Sequence, residues 1–414
     1  MSDRVAFTPQ ERRVSLSLAS VYGLRMLGLF LVLPVLALGA RDLPGGQDAA
    51  LIGLAMGIYG LTQAFLQIPF GVASDRWGRK PVIVFGLLVF AGGSLLAAVA
   101  QDLYWLIFAR ALQGAGAVSA AVSAFLADLT REEVRARAMA LVGASIGLSF
   151  AVSLVIAPPI FGLAGLAGLF SLTGILAFLA AFAVWRMPDP PASSPSSVQA
   201  PALRNWQSLM RDSQLARLNL GIFCLMAIQT AMFVAIPFAL DGLGMALADH
   251  WMVYLPLLAL AFLSIVPAIF WAERRGRFRP VFLGAIAFLL VTMGIFLSAG
   301  AVFWLWLLGI WAFFAGFNLL EALLPSWVSR VAPAAQRGLA LGIYNTSQSL
   351  GLFLGGLVGG LAVRSYGVDG IFVACAAVLF FWGMMAMGLR EIGRRSPLVS
   401  AGPMAATGSP PIDR

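Results

Sequence analysis

The chain reads SDRWGRKP at residues 74–81, and a looser copy, AERRGRFRP, follows at residues 272–280. Each run places an acidic residue, arginines and a glycine in a short loop between two long apolar segments. Charged residues beside a bilayer are energetically costly, so their presence there indicates a function. The repeat therefore indicates two related halves, and the flanking segments indicate that both halves lie in a membrane.

The 414 residues are 60% hydrophobic and only 11% charged. A soluble domain carries about 25% charged residues, because its surface must face water. This composition predicts a polytopic membrane protein. The net charge of +9 does not indicate nucleic-acid binding, since the basic residues lie in short loops between apolar runs. The sequence has no metal-ligand cluster, phosphate loop or nucleophile–base pair, so we expect no metal, no cofactor and no enzymatic activity.

Apolar windows of about 20 residues, the length that crosses the hydrocarbon core as a helix, occur twelve times. They cover residues 14–40, 49–73, 82–100, 104–127, 138–162, 168–187, 218–240, 250–271, 281–300, 302–328, 338–363 and 370–389. We predict an all-α fold with two pseudo-symmetric six-helix bundles, residues 1–187 and 218–390. A cytoplasmic linker at residues 188–217 would join them, and residues 391–414 would form a disordered cytoplasmic tail.

Almost all Lys and Arg residues fall on one side of this topology, and the loops on the other side carry only Arg41 and Arg364. The positive-inside rule places the basic side in the cytoplasm. Both termini are then cytoplasmic. We expect a multi-pass protein of a bacterial-type inner membrane, acting as a monomer.

Twelve spans, a long central loop and a repeated basic loop resemble the major facilitator superfamily, whose members bind substrate between two halves. GVASDRWGRK at residues 71–80 fits the signature loop of that family. ARALQGAG at residues 109–116 resembles the fourth-helix motif of its proton-driven members. Gly143 and Gly147, followed by APP at residues 157–159, resemble the fifth-helix motif of the antiporters, although that motif usually has Gly-Pro and paired glycines.

A narrower resemblance lies in LRMLG at residues 24–28, LPV at 33–35 and FNLLEALLP at 317–325. These stretches are similar to YajR-type drug:proton antiporters. Some of those transporters carry an added small domain at the carboxyl end, and we expect none in this chain.

The family resemblance implies that Asp75, Arg79 and Asp128 form a charge cluster that latches the cytoplasmic side of the outward-facing state. An aspartate can face a helix amino terminus, and an arginine can grip a carboxylate. The alternative is a solvated turn that only sets topology. The second copy of the loop is interpreted as a topological relic. The candidate gate residues are Gly71, Asp75, Arg76, Gly78, Arg79 and Asp128.

Glu321 is the only carboxylate deep in a span. A charge near the bilayer centre costs about 2.5–3.5 kcal/mol, and burial favours the neutral, protonated carboxyl, which suits a proton carrier. Alternatively, Glu321 is satisfied by a neighbour such as Asn318, or it reaches the interface. Arg25 and Arg110 are cations within spans and cannot readily deprotonate. The resemblance implicates Arg110 in proton coupling; alternatively, Arg110 lies near the external end of its span and reaches the interface. Arg25 could modulate a carboxylate in the cavity.

Pro158 and Pro159 are expected to kink the fifth span, because each lacks a helix donor. Gly143 and Gly147 would permit close packing near the interface between halves. Uncharged polar side chains in spans should point inward, away from lipid. The candidates for the cavity are Tyr22, Tyr59, Gln63, Gln113, Gln229, Asn318 and Asn345.

These patterns lead to one main functional interpretation. The chain would be an antiporter that exports small amphipathic organic compounds in exchange for protons, with the proton gradient as its energy source. Its partners would be the lipid bilayer, protons and a small-molecule substrate. Uptake of a sugar, peptide or metabolite by proton symport is the first alternative. A non-transporting membrane sensor is less favoured, because the loops are very short.

Overall fold

The computed structural model describes residues 7–187, 209, 211–275, 277–333 and 336–391. Most of the predicted linker and of the predicted tail lies outside these residues. Within them the chain is almost entirely helical, and no described residue lies in a β-strand. The all-α prediction is confirmed. The helices are α1 (Pro9–Gly39), α2 (Ala49–Trp77), α3 (Arg79–Ala98), α4 (Leu103–Ala115), α5 (Ser119–Asp128), α6 (Glu132–Trp185), α7 (Ser213–Gly242), α8 (Trp251–Arg275), α9 (Phe278–Ala299), α10 (Phe303–Val331) and α11 (Arg337–Ala386).

Ten helical stretches among the described residues are long and apolar enough to cross a membrane. Two of them, Arg137–Trp185 and Gly338–Ala386, are 49 residues long. At 1.5 Å per residue each would measure about 73 Å, more than twice the hydrocarbon core. Each is interrupted by one glycine, Gly165 with φ 61° and Gly367 with φ 69°.

A positive φ suits glycine and ends a helix sharply. α6 therefore contains the fifth and sixth spans, and α11 contains the eleventh and twelfth. The fourth span consists of α4 and α5 together, with a break between Ala115 and Ser119. The described residues thus hold the twelve predicted spans, six in the N-terminal half (α1–α6) and six in the C-terminal half (α7–α11).

The halves pack tightly near the end that carries the connections at residues 39–49 and 242–251, here called the opposite end. There α2 and α11 approach through small residues: a Cβ added to Gly53 would clash with the backbone of Gly356, and one added to Gly60 would clash with Ser349. Small residues of this kind let helix backbones come close in lipid.

The halves diverge toward the Arg-rich end, which carries the connections at residues 77–79, 128–132 and 331–337. A Cβ added to Gly143 or Gly147 on α6 would meet no atom within 4 Å, and the same holds for Gly338 and Gly342 on α11. The predicted close packing at Gly143 and Gly147 is therefore wrong for this conformation, because these glycines face the space between the separated halves.

The proline pair in the fifth span does not interrupt its helix. α6 continues through Pro158 and Pro159 with helical backbone angles, and its non-helical residue is Gly165. The missing donors are tolerated without a break in the helix at this point.

Candidate functional site

Arg25 lies inside the N-terminal half with only 1% of its surface exposed. It donates to the Tyr59 hydroxyl at 3.0 Å, to Ser119 Oγ at 3.3 Å and to the Gly116 carbonyl at 3.3 Å. The break between α4 and α5 takes the Gly116 carbonyl out of the helical hydrogen-bond pattern, and it accepts both from Arg25 and from the Val118 amide, at 2.9 Å. Irregular backbone in a membrane span is tolerated where a neighbour satisfies the freed groups.

Arg110, on α4, is buried beside the same tyrosine. It donates to Gln113 Oε1 at 2.7 Å and to the Ala55 carbonyl at 3.3 Å, and its guanidinium lies 5.2 Å from the centre of the Tyr59 ring. Gln113 in turn donates to Ser94 Oγ at 2.7 Å. Arg110 therefore does not reach the membrane surface but belongs to an internal polar network.

Arg25 and Arg110, here called the arginine pair, have no carboxylate partner in the part of the chain that the structure describes. Neutral oxygens stabilise both cations, with the Tyr59 ring beside Arg110 and the Phe90 ring beside Arg25, and Arg25 Nε is buried without an acceptor. A buried charge is usually paired with an opposite charge because desolvation is expensive. The N-terminal half therefore presents uncompensated positive charge near its centre.

Glu321 lies half-buried on α10 in the C-terminal half. It forms no hydrogen bond or ion pair with any described residue, and it does not contact the arginine pair. Asn318 does not satisfy it, because the Asn318 amide donates to the Phe314 carbonyl at 2.8 Å. Glu321 is thus a carboxylate without a fixed partner, which leaves it available to a proton or a ligand.

The predicted polar cavity residues separate into two groups. Tyr59 and Gln113 belong to the network around the arginine pair. The others make no described hydrogen bond to that network: Tyr22, Gln63, Gln229 and Asn318 are buried, and Asn345 is half-buried. Gln63 Oε1 is buried without a hydrogen-bond partner.

The predicted gate residues come together at the Arg-rich end, where α2, α3 and α5 meet. Arg79 binds Asp75 and also donates to Asp128 Oδ2 at 3.0 Å. Gly78 has φ 96°, so this tight connection between α2 and α3 favours glycine. Arg76 is exposed and grips no carboxylate among the described residues, contrary to the prediction.

All members of this cluster belong to the N-terminal half. Gly71 has no close neighbour in the other half, since an added Cβ would meet only Ala120 of α5, at 3.9 Å. In this conformation the cluster ties three helices of one half together and does not bridge the halves.

The two copies of the basic loop perform one structural task in common. Lys80 Nζ donates to the Met187 carbonyl at 2.8 Å, and Arg279 Nη2 donates to the Met387 carbonyl at 2.7 Å. In each half the cation just before the loop proline thus binds the carbonyl end of the last span, where a positive charge is favourable. The second copy is therefore more than a relic, although Gly276 and the Glu273 side chain lie outside the described part.

Two ion pairs join the halves at the opposite end. Arg41 lies 3.6 Å from Asp241, and Arg364 lies 3.3 Å from Asp48. Arg41 and Arg364 are the two basic residues that the topology places apart from all other loop cations. Both therefore contact the other half of the molecule.

We expect Asp48→Asn combined with Asp241→Asn to shift the population away from this conformation about fivefold. Exposed pairs contribute about 0.2–1 kcal/mol each, and asparagine keeps the helix cap that Asp48 forms with Ala50. Distances between spin labels at the two ends would measure the shift. Exchanging the charges, with Arg41→Asp and Asp241→Arg, should restore the first pair; a swap that restores nothing would contradict this role.

Sequence reasoning missed an aromatic cluster between the halves. Phe150 on α6 contacts Phe30 of its own half and both Phe233 and Phe317 of the other half. Phenylalanines are abundant in the spans, so composition alone does not single these out. Only the position of Phe150 on the same helical stripe as Gly143 and Gly147 could have indicated it.

The family model described as Major Facilitator Superfamily matches residues 18–335 and, in a second match, residues 250–408. The inner membrane transport protein YajR of Escherichia coli (strain K12) is 43% identical over 93% of this chain and 85% of its own length. The multidrug resistance protein MdtH of Yersinia enterocolitica is 28% identical over 81% of this chain and 82% of its own length.

Solved structures share the fold at low sequence identity. A bacterial homologue of the human lysosomal transporter Spinster, in an inward-facing and occupied conformation, superposes with a TM-score of 0.70 at 16% identity. The match covers 92% of this chain and 96% of that one. The arrangement of twelve spans in two halves is therefore that of a known transporter fold.

Proposed function

Because this chain belongs to the Major Facilitator Superfamily, we propose that it exports small amphipathic organic compounds in exchange for protons, by alternating access. It is a multi-pass membrane transporter, and its similarity to YajR indicates the bacterial inner membrane. The proposal concerns the direction of transport, the coupling to protons and the class of substrate.

One observation carries the proposal: Glu321 is a half-buried carboxylate without a hydrogen bond or ion pair to any described residue, one turn from Phe317, which contacts Phe150 of the other half. Antiport requires that the proton and the substrate bind in turn, and one unpaired carboxylate can serve both. Protonation removes its charge, and substrate binding would favour release of the proton. The printed name of MdtH, a multidrug resistance protein, supports an amphipathic substrate.

The positive-inside rule supports placing the Arg-rich end in the cytoplasm. With that orientation, the space between the halves opens toward the cytoplasm and is closed toward the outside. An exporter loads its substrate in this state. The cluster of Asp75, Arg79 and Asp128 would then hold the ends of α2, α3 and α5 as one unit that closes on the C-terminal half in the outward-facing state.

Proton symport of an anionic metabolite is a second candidate. The arginine pair favours it, since two buried cations with no carboxylate partner among the described residues attract an anion. An anion bound there would also favour a protonated Glu321, so that proton and substrate would travel together. The two candidates therefore differ in whether substrate binding releases or retains the proton.

Inside-out membrane vesicles with an acidic interior distinguish the two mechanisms. For an antiporter, a compound added outside should dissipate the proton gradient, and vesicles without the protein should show no such change. For a symporter, the gradient should collapse only when the compound is loaded inside. A gradient unaffected by a panel of amphipathic cations, neutral compounds and anions, added on either side, would refute proton coupling.

A further inference from the structure

The stripe of α6 that faces the C-terminal half changes from open to packed at Phe150. Gly143, Gly147, Phe150 and Leu154 follow each other at spacings of four, three and four, which places them on one helix face. The two glycines face open space, whereas Phe150 is 5% exposed and Leu154 is fully buried. The space between the halves therefore ends at Phe150 along this helix.

The contact between α2 and α11 shows the same change along its length. On α2, Gly71 has no close neighbour in the other half, whereas Gly60 packs directly on Ser349. On α11, Gly342 faces open space. Both contact regions between the halves, the α6 stripe and the α2–α11 contact, thus change from open to packed along their length. Phe150 is the large side chain at this change on α6, where the closed layer begins.

Phe150 is the centre of the aromatic cluster. Its ring centroid lies 5.3 Å from that of Phe30 on α1, 6.0 Å from Phe233 on α7 and 6.2 Å from Phe317 on α10. The first two contacts are edge-to-face, the geometry that aromatic pairs prefer. One residue therefore joins four helices, two from each half, without any polar bond.

The cluster lies just beyond Arg25 and Glu321, toward the opposite end. Phe30 follows Arg25 by five residues along α1, and Phe317 precedes Glu321 by four along α10. At 1.5 Å per residue these separations are about 6–8 Å. The aromatic layer thus separates Glu321 and Arg25 from the opposite end.

We propose that Phe150 is the positioning residue that seals the space between the halves directly beyond Glu321. An apolar constriction excludes water by dewetting, so it also blocks protons. If water passed this layer, Glu321 would exchange protons with both ends at once and coupling would be lost. Ring contacts without hydrogen bonds separate readily when the halves rock. The inference rests on the proposed alternating access but not on a particular substrate.

Leu154→Cys, one turn beyond the seal, reports on water access. It is placed in a protein whose buried Cys224 and Cys375 are replaced by serine. A membrane-impermeant thiol reagent is added to inside-out vesicles, which expose the Arg-rich end in the proposed orientation. Labelling follows the population of the open layer, so we expect Phe150→Ala to accelerate it at least about tenfold. Unchanged labelling of Leu154→Cys in Phe150→Ala would overturn the proposal.

Phe372→Ala is the matched control. It removes a ring that stacks on Phe296 at 4.9 Å inside the C-terminal half, and it should leave Leu154→Cys as slow as before. Equal acceleration in both alanine variants would mean general loosening and would also overturn the seal. Phe150→Leu is the substitute if Phe150→Ala does not fold. It keeps an apolar side chain but loses the ring contacts, so Leu154→Cys should be labelled faster than with Phe150 in place but more slowly than expected for Phe150→Ala.

Gly147→Cys, on the open side of the layer, shows which face the reagent reaches. It should react in inside-out vesicles in every background. Reaction only in right-side-out vesicles would refute the proposed orientation, and with it the direction of export. The comparison of Phe150→Ala with Phe372→Ala would then be made in those vesicles and would still decide the seal.

Discussion

Glu321→Gln is expected to abolish proton movement in response to substrate while substrate exchange continues. Glutamine has the shape of the protonated carboxyl but cannot release a proton. Glu321 has no hydrogen bond or ion pair to a described residue, so the substitution removes no described polar contact and should not impair folding. Proton flux in inside-out vesicles and counterflow of labelled substrate measure the two activities separately.

The loss of coupled flux should be at least about tenfold, because a side chain that binds no proton cannot link proton binding to substrate binding. Asp369→Asn is the matched control, since Asp369 is an exposed carboxylate at the opposite end of the molecule. It should behave as wild type. Normal proton flux in Glu321→Gln would refute the coupling role, whereas loss of counterflow as well would assign Glu321 to substrate binding alone.

Asp75→Asn is expected to reduce transport about tenfold through poorer closure at the Arg-rich end. Arg79 holds both Asp75 and Asp128, and hydrogen bonds to charged groups contribute about 1.5–3 kcal/mol. The Asp75 side chain is 33% exposed, which favours the lower end of that range. Transport assays, with spin-label distances between the halves at this end, would measure both effects.

Two further variants separate the latch from a topological role. Asp128→Asn should act like Asp75→Asn, because both carboxylates hold the same guanidinium. Arg76→Gln should have little effect, since Arg76 is exposed and contacts no carboxylate among the described residues. If Arg76→Gln reduced transport as strongly as Asp75→Asn, the loss would not depend on the contacts of Arg79, and the latch would be refuted.

The twelve spans could be predicted because lipid imposes a simple rule on sequence. A backbone in hydrocarbon must satisfy its own polar groups, so each crossing needs an apolar window of helical length. Even the joint at Gly165 was visible, since one window ended at residue 162 and the next began at 168. The break in the fourth span was not, because the glycines at 114 and 116 lie inside one continuous window of spanning length, and glycines are common in spans that do not break.

The charged residues of the site could also be predicted from the sequence, since Arg25, Arg110 and Glu321 interrupt apolar runs. Their partners were not. The Gly116 carbonyl accepts from Arg25 only because the helix breaks there, and the residue types around it do not predict that break. The packing of Gly143 and Gly147 depends on the conformation, and a transporter sequence must encode more than one. Phe150 acquires its role from three rings that lie far from it along the chain.

The single-glycine joints have a practical consequence for spectroscopy. Only Gly165 separates the fifth and sixth spans, so no flexible loop lies between them and they must move together. Phe178 lies on the outer surface of the sixth span and is 60% exposed. A fluorophore or spin label at this position can therefore follow the motion of the fifth span from the lipid side, without entering the translocation pathway.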